Sequence, residues 1–146
     1  MFTTKWKLDA ITNYQFTQQS FQSVERLYSI EFDRDWNLNS IALGDQSLLN
    51  TGLVFQLNPS ANNSNQGNIA YQFEKLDFVN SFSGNRHLLN GRLVTKNWSV
   101  ANQGSYLNSS DLTDRSTFLR NQALLKYNFR KNWIGLSQRS ENNQKK

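Results

Sequence analysis

From Phe2 to Thr17 the chain alternates. Phe2, Thr4, Trp6, Leu8, Ala10, Thr12, Tyr14 and Phe16 fall in one phase; Thr3, Lys5, Lys7, Asp9, Asn13, Gln15 and Thr17 fall in the other, where Ile11 is the only apolar member. Successive side chains of an extended chain project to opposite faces, so this period predicts one long strand with an apolar and a polar side. A helix would scatter the same residues around its circumference.

The pattern recurs. Tyr28, Ile30, Phe32, Trp36 and Leu38 share a phase opposite Glu25, Glu31, Asp33, Asp35 and Asn37, which predicts a second strand interrupted only by Arg34. A third spans Ser47–Leu57, with Leu49, Thr51, Leu53, Phe55 and Leu57 in phase. In Asn68–Phe82 the phase of Ile69, Tyr71 and Phe73 gives way to that of Leu76 and Phe78, which predicts a β-bulge near Glu74–Lys75. Arg86–Val100 is poorly patterned; Thr117–Arg130 carries Leu119, Ala123, Leu125, Tyr127 and Phe129 in phase; Trp133–Glu141 fades into a polar tail. The expectation is an all-β antiparallel meander of about seven long strands in one domain over 1–146, with no helix.

Gly44-Asp45, Gly84-Asn85 and Lys131-Asn132 fit two-residue hairpin turns, since Gly, Asn and Asp tolerate positive φ. Asn58–Gly67 and Ala101–Ser116 read as long polar connections, so short and long links are expected to alternate, as in barrels with short turns at one rim and long loops at the other. A turn at Gly84-Asn85 would set Leu76 opposite Leu93 and Asp77 opposite Arg92. A first hairpin centred near residue 20 would set Lys7 opposite Asp33, Lys5 opposite Asp35 and Trp6 beside Arg34.

Composition changes the picture in one respect. Mean hydropathy is −0.69, yet the 20 Asn, 12 Gln and 16 Ser fall largely on one face of the alternating strands or in the polar links. The chain has no run of apolar residues long enough for a membrane helix, but a β-barrel signals itself by alternation instead. Ten residues from Trp6 to Phe16 span roughly 33 Å, or about 25 Å when tilted by about 40°, close to the apolar height of such a barrel. The leading expectation is therefore the wall of an outer-membrane-type barrel, with Trp6, Leu8, Tyr14, Phe16, Phe32 and Trp36 facing lipid or forming an aromatic girdle. Lys5, Lys7, Glu31, Asp33 and Asp35 would then form a charge ladder inside it. The rival is a soluble β-sandwich or open sheet that binds a glycan or surface ligand through its tryptophans.

Absence of cysteine excludes disulfides, thiolate metal sites and a cysteine nucleophile. The formal charge of +5 resides in residues 115–146, which hold eight basic side chains against Glu141. We read that excess as a solvated basic face and expect no nucleic-acid partner. Glu31, Asp33 and Asp35 are compatible with a calcium site or a carboxylate-based hydrolase, but nothing separates an acid from a base. His87, the one histidine, has no second partner in sequence for a triad or zinc site. The expectation is a non-enzyme without a cofactor.

The stretches Ser23–Asn39 and Phe118–Asn142 resemble segments of large, repetitive β-strand proteins of the Bacteroidota outer membrane. The resemblance implies an outer-membrane or surface location, with lipid and further strands or neighbouring subunits as partners, and supplies no catalytic residues. An odd strand count and the lack of a leader-like segment in residues 1–20 fit an expectation that the chain is a piece of a longer protein.

Overall fold

The computed structural model describes residues 5–20, 36, 38, 44–57 and 65–145. Seven strands form a single antiparallel sheet in sequence order: β1 (Trp6–Thr17), β2 (Gln46–Leu57), β3 (Gln66–Phe78), β4 (Phe82–Val94), β5 (Trp98–Asp111), β6 (Arg115–Phe129) and β7 (Asn132–Lys145). Among the described residues each strand pairs only with its sequence neighbours, so β1 and β7 are the edges of an open sheet. The all-β meander expected from alternation is what forms, and every strand has at least 12 residues.

Several details differ from expectation. The partner of β1 is residues 46–57, with Trp6 opposite Leu57 and Leu8 opposite Phe55. Trp6 accordingly stacks on Phe55 at 4.6 Å between centroids, and Lys7 pairs with Asp9 at 2.9 Å. Glu31, Phe32, Asp33, Arg34 and Asp35 lie outside the described residues.

No bulge interrupts β3, whose ladders with β2 and β4 run without an extra residue. The change of phase is a change of face: Ile69, Tyr71 and Phe73 occupy one side, and Leu76 and Phe78 the other. The turn after β3 is Val79-Asn80-Ser81, not Gly84-Asn85, so Leu76 faces Gly84 and Asp77 faces Ser83. Asn80 takes the positive φ of 61° that closes it. Most of Ala101–Ser116, expected as a polar link, is strand: residues 101–111 belong to β5 and 115–116 to β6. Asn is a poor strand former by propensity, but ladders on both sides satisfy this backbone. The final turn is Arg130-Lys131, with Arg130 at φ 53°. Links do not alternate in length either. Those after β3, at 79–81, 95–97, 112–114 and 130–131, are all two or three residues long.

The buried cluster sits on one face, toward the end where β3 turns into β4. Trp36, Leu76, Phe82 and Leu107 are its members, with Leu38, Leu48, Phe78 and Phe118 packed at its margin. Burying a side chain of this size contributes about 1.5–3 kcal/mol. Trp36 is 1% exposed and its own backbone is helical, which overturns its expected place in a strand and on a lipid-facing side. The indole is apolar enough to be drawn over Leu76, and Gly84 leaves room for it.

Candidate functional site

The unbroken register assigns every strand residue to a face. One face carries Trp6, Leu8, Tyr14 and Phe16 of β1, then Leu53 and Phe55, Ile69 and Tyr71, Leu89 and Leu93, Trp98 and Val100, Leu125 and Tyr127, and Ile134 and Leu136. All but Tyr127 are among the exposed large hydrophobic residues of the chain. We call this the aromatic face. The other, charged face carries every charged residue of the seven strands except Lys75, Asp77 and Arg115, and those three lie together at the end near the β3–β4 turn. A surface divided this way is not that of an ordinary solvated sheet, where large exposed apolar areas are few.

The apolar band slopes. Its middle in β1 is Ile11, midway between Trp6 and Phe16. In β6 it is Leu124, midway between Leu119 and Phe129, which the ladders connect through Ala101, Arg92, Asn68 and Gln56 to Lys7. In β7 the middle has moved back further, to Gly135 between Ile134 and Leu136. The drift is about one residue per strand; with about 3.3 Å per residue and about 4.8 Å between strands, the band crosses the strands at about 35° from the ladder rows.

Residue type varies across the band. Along one border lie the Trp6–Phe55 stack, the Trp98–Tyr127 pair at 4.5 Å and Tyr127–Phe129 at 6.0 Å. Along the other, Phe16 and Tyr14 are followed by Phe73, His87 and Tyr106, with His87 at 5.1 Å from Phe73 and 6.0 Å from Tyr106. His87 Nδ1 also shares a hydrogen bond of 2.8 Å with the Tyr71 hydroxyl. Aliphatic residues, chiefly Leu53, Ile69, Leu93, Val100 and Leu125, fill the middle. Polar pairs interrupt it at Thr12 and Thr51, which face each other across the ladder, and at Asn102, whose amide donates to Asn121 Oδ1 at 2.9 Å.

On the charged face Glu74 is the most buried acid. Arg86 Nε and Nη2 both approach its Oε2 at 2.6 Å, and Gln72 Nε2 donates to Oε1 at 2.6 Å. The Arg86 guanidinium also lies 5.2 Å from the Trp36 ring centroid, tying the ion pair to the buried cluster. Beside it opens a groove of about 350 Å³ that Arg86, Arg120 and Arg139 line together with Gln103, Ser105 and Gln122; no acid is among its lining residues. At the rim, Asp111 Oδ1 accepts from the Thr113 and Asp114 amides at 2.8 and 2.7 Å, and these bonds hold its carboxyl below the ordinary value. Lys145 caps the same turn through Asp114 at 2.8 Å, which raises its ammonium pKa.

Of the residues expected at a site, Trp6, Leu8, Tyr14 and Phe16 stand together on the aromatic face, and Lys7 stands on the charged face. Lys5 is exposed just before β1. The arginine groove was not expected. Its one advance signal was the basic excess after residue 115, which contains Arg120 and Arg139 but not Arg86. Trp98 and Trp133 are exposed on opposite faces and make no joint platform for a glycan. No family model matches the chain, and neither the curated proteins nor the solved structures compared with it contain a match.

Proposed function

We propose that this sheet is a segment of the wall of an outer-membrane-type β-barrel, a structural or transport scaffold at the outer membrane or cell surface. The aromatic face meets lipid and the charged face lines a polar interior. The observation that carries this reading is the inclined apolar band, aliphatic in the middle and aromatic along both borders. A bilayer is a flat slab, and barrel strands tilt through it by about 35–45°, so its imprint crosses the ladder rows at that angle. Aromatic side chains collect at the two interfaces because each has an apolar body and tolerates a wet edge. The Bacteroidota resemblance points to the same setting.

The topology adds a condition on partners. With each neighbour antiparallel, β1 and β7 run in the same direction. An all-antiparallel closure therefore places an odd number of further strands between them, from the same polypeptide or a neighbour.

Site-directed nitroxide labels test the reading. After refolding into phospholipid vesicles, labels at Leu53 and Leu125 are expected to collide with lipid-dissolved oxygen. Those at Gln103 and Gln122 are expected to collide with an aqueous nickel chelate. A detergent-free, monodisperse protein in which labels at Leu53 and Leu125 are shielded from both reagents would assign this face to a protein core and overturn the reading.

A further inference from the structure

We infer that the groove of Arg86, Arg120 and Arg139 binds oxyanionic solutes, molecules that present a phosphate or carboxylate. As a station for solutes along a barrel interior it rests on the wall reading above. Three observations converge on the site itself.

The arginines come from three strands and share one groove. Arg86 connects across the ladder through Leu107 to Phe118; Arg120 is two residues beyond Phe118 in β6, and Arg139 is two residues from Glu141, the partner of Arg120, in β7. That slant matches the slope of the apolar band on the opposite face. If the band marks the membrane plane, the three guanidinium groups stand at one level, beside the border formed outside by Phe16, His87 and Tyr106. A tier of cations at one level of a polar interior is how a pore selects anions.

Three arginines stand against two acids, Glu74 and Glu141, so the groove keeps one net positive charge. Glu74 is consumed by Arg86 and Gln72, and Glu141 accepts from Arg120 Nε at 3.2 Å. Neither acid lines the groove. Arg139 approaches Glu141 only to 3.9 Å, too far for a hydrogen bond, with its side chain 78% exposed. Among the described residues, the terminal amino groups of Arg120 make no hydrogen bond, and its guanidinium lies 5.9 Å from the Phe118 ring centroid. Guanidinium groups match the geometry of carboxylate and phosphate oxygens through paired N–H donors, and Gln103, Gln122 and Ser105 offer neutral donors between them.

The test is a titration of the refolded full chain with inorganic phosphate at constant ionic strength, following the arginine Nε–Hε resonances by NMR. The expected result is saturable shifts at Arg120, no response to glucose, and at least about tenfold weaker binding in the Arg120→Gln/Arg139→Gln double variant. Arg139 is largely solvated on an edge strand, so Arg139→Gln alone keeps the fold and is expected to weaken binding in part. A response that is linear in phosphate, or equal in wild type and double variant, overturns the inference. Measuring in vesicles, alongside the nitroxide accessibilities, separates the two proposals: a labelled aromatic face shielded from lipid sinks the wall, whereas unsaturable phosphate shifts with that face in lipid sink the groove.

Discussion

Gly84 lies directly beneath Trp36: a Cβ built on Gly84 would come within 3.0 Å of indole Cε3 and Cζ3. The same indole is 5.2 Å from the Arg86 guanidinium. Substituting Gly84→Ala drives a methyl group into a closed contact, and overpacking of that kind costs about 1–3 kcal/mol. Equilibrium urea unfolding of the refolded chain should show that loss. Trp36→Ala should cost about 3–5 kcal/mol by emptying the cluster.

The Glu74–Arg86 pair yields a sharper contrast. Their side chains are 10% and 18% exposed, so removing one partner strands the other with little water. Glu74→Gln is expected to destabilise the sheet by about 3 kcal/mol, whereas the solvated pair Arg120–Glu141 should lose under about 1 kcal/mol on Glu141→Gln. Parallel urea titrations of the two variants check the difference. Equal losses would mean that Glu74 is better solvated than its contacts indicate.

Opposite faces should respond oppositely to charge. Leu53→Arg places a cation in the middle of the apolar band and is expected to cost about 2–4 kcal/mol in a bilayer. Asn13→Arg, at an exposed position on the charged face, should leave the folded fraction in vesicles within about 0.5 kcal/mol of wild type. Folding yield in vesicles, read by protection from protease, is the measurement. Tolerance of Leu53→Arg would remove the lipid from that face.

Backbone conformation at Arg130 predicts a gain. At φ 53° an L-residue is strained and glycine is not. Arg130→Gly is therefore expected to stabilise the β6–β7 hairpin by up to about 1 kcal/mol, and Arg130→Val to destabilise it. Thermal unfolding midpoints moving in opposite directions would bear this out; a fall in both would not.

Asp111 gives a pH dependence with a definite sign. Two amide hydrogen bonds lower its folded pKa below the ordinary 3.8. A carboxyl whose pKa is depressed on folding contributes stability above its unfolded value, and that contribution disappears as pH falls through the folded one. The wild-type midpoint should thus drop on acidification below about pH 4 more steeply than that of Asp111→Ala, which has already lost the turn. Identical acid slopes in the two proteins would refute the assignment.

Much of this architecture was legible in residue order. Alternation in β1, β2 and β6 fixes long strands and sorts Trp6, Leu8, Tyr14 and Phe16 from Lys7 and Asp9, because a pleated chain leaves no other arrangement of those side chains. Ladder register was not legible: Gly84 carries the signature of a turn residue, and only the packing of Trp36 explains a glycine within β4. Nor was β5, whose Asn and Ser earn their place in the sheet from neighbours on both edges. The phase change in β3 looked like an insertion because one-dimensional reading cannot tell an extra residue from a transfer of apolar side chains between faces. Above all, the slope of the band and the meeting of Arg86, Arg120 and Arg139 are properties of residues far apart in sequence. The sequence alone determined which side of β1, β2 and β6 is apolar; the tertiary structure decided how strands slide against one another, since cross-strand hydrogen bonds and the cluster around Trp36 select a single register among those that alternation permits.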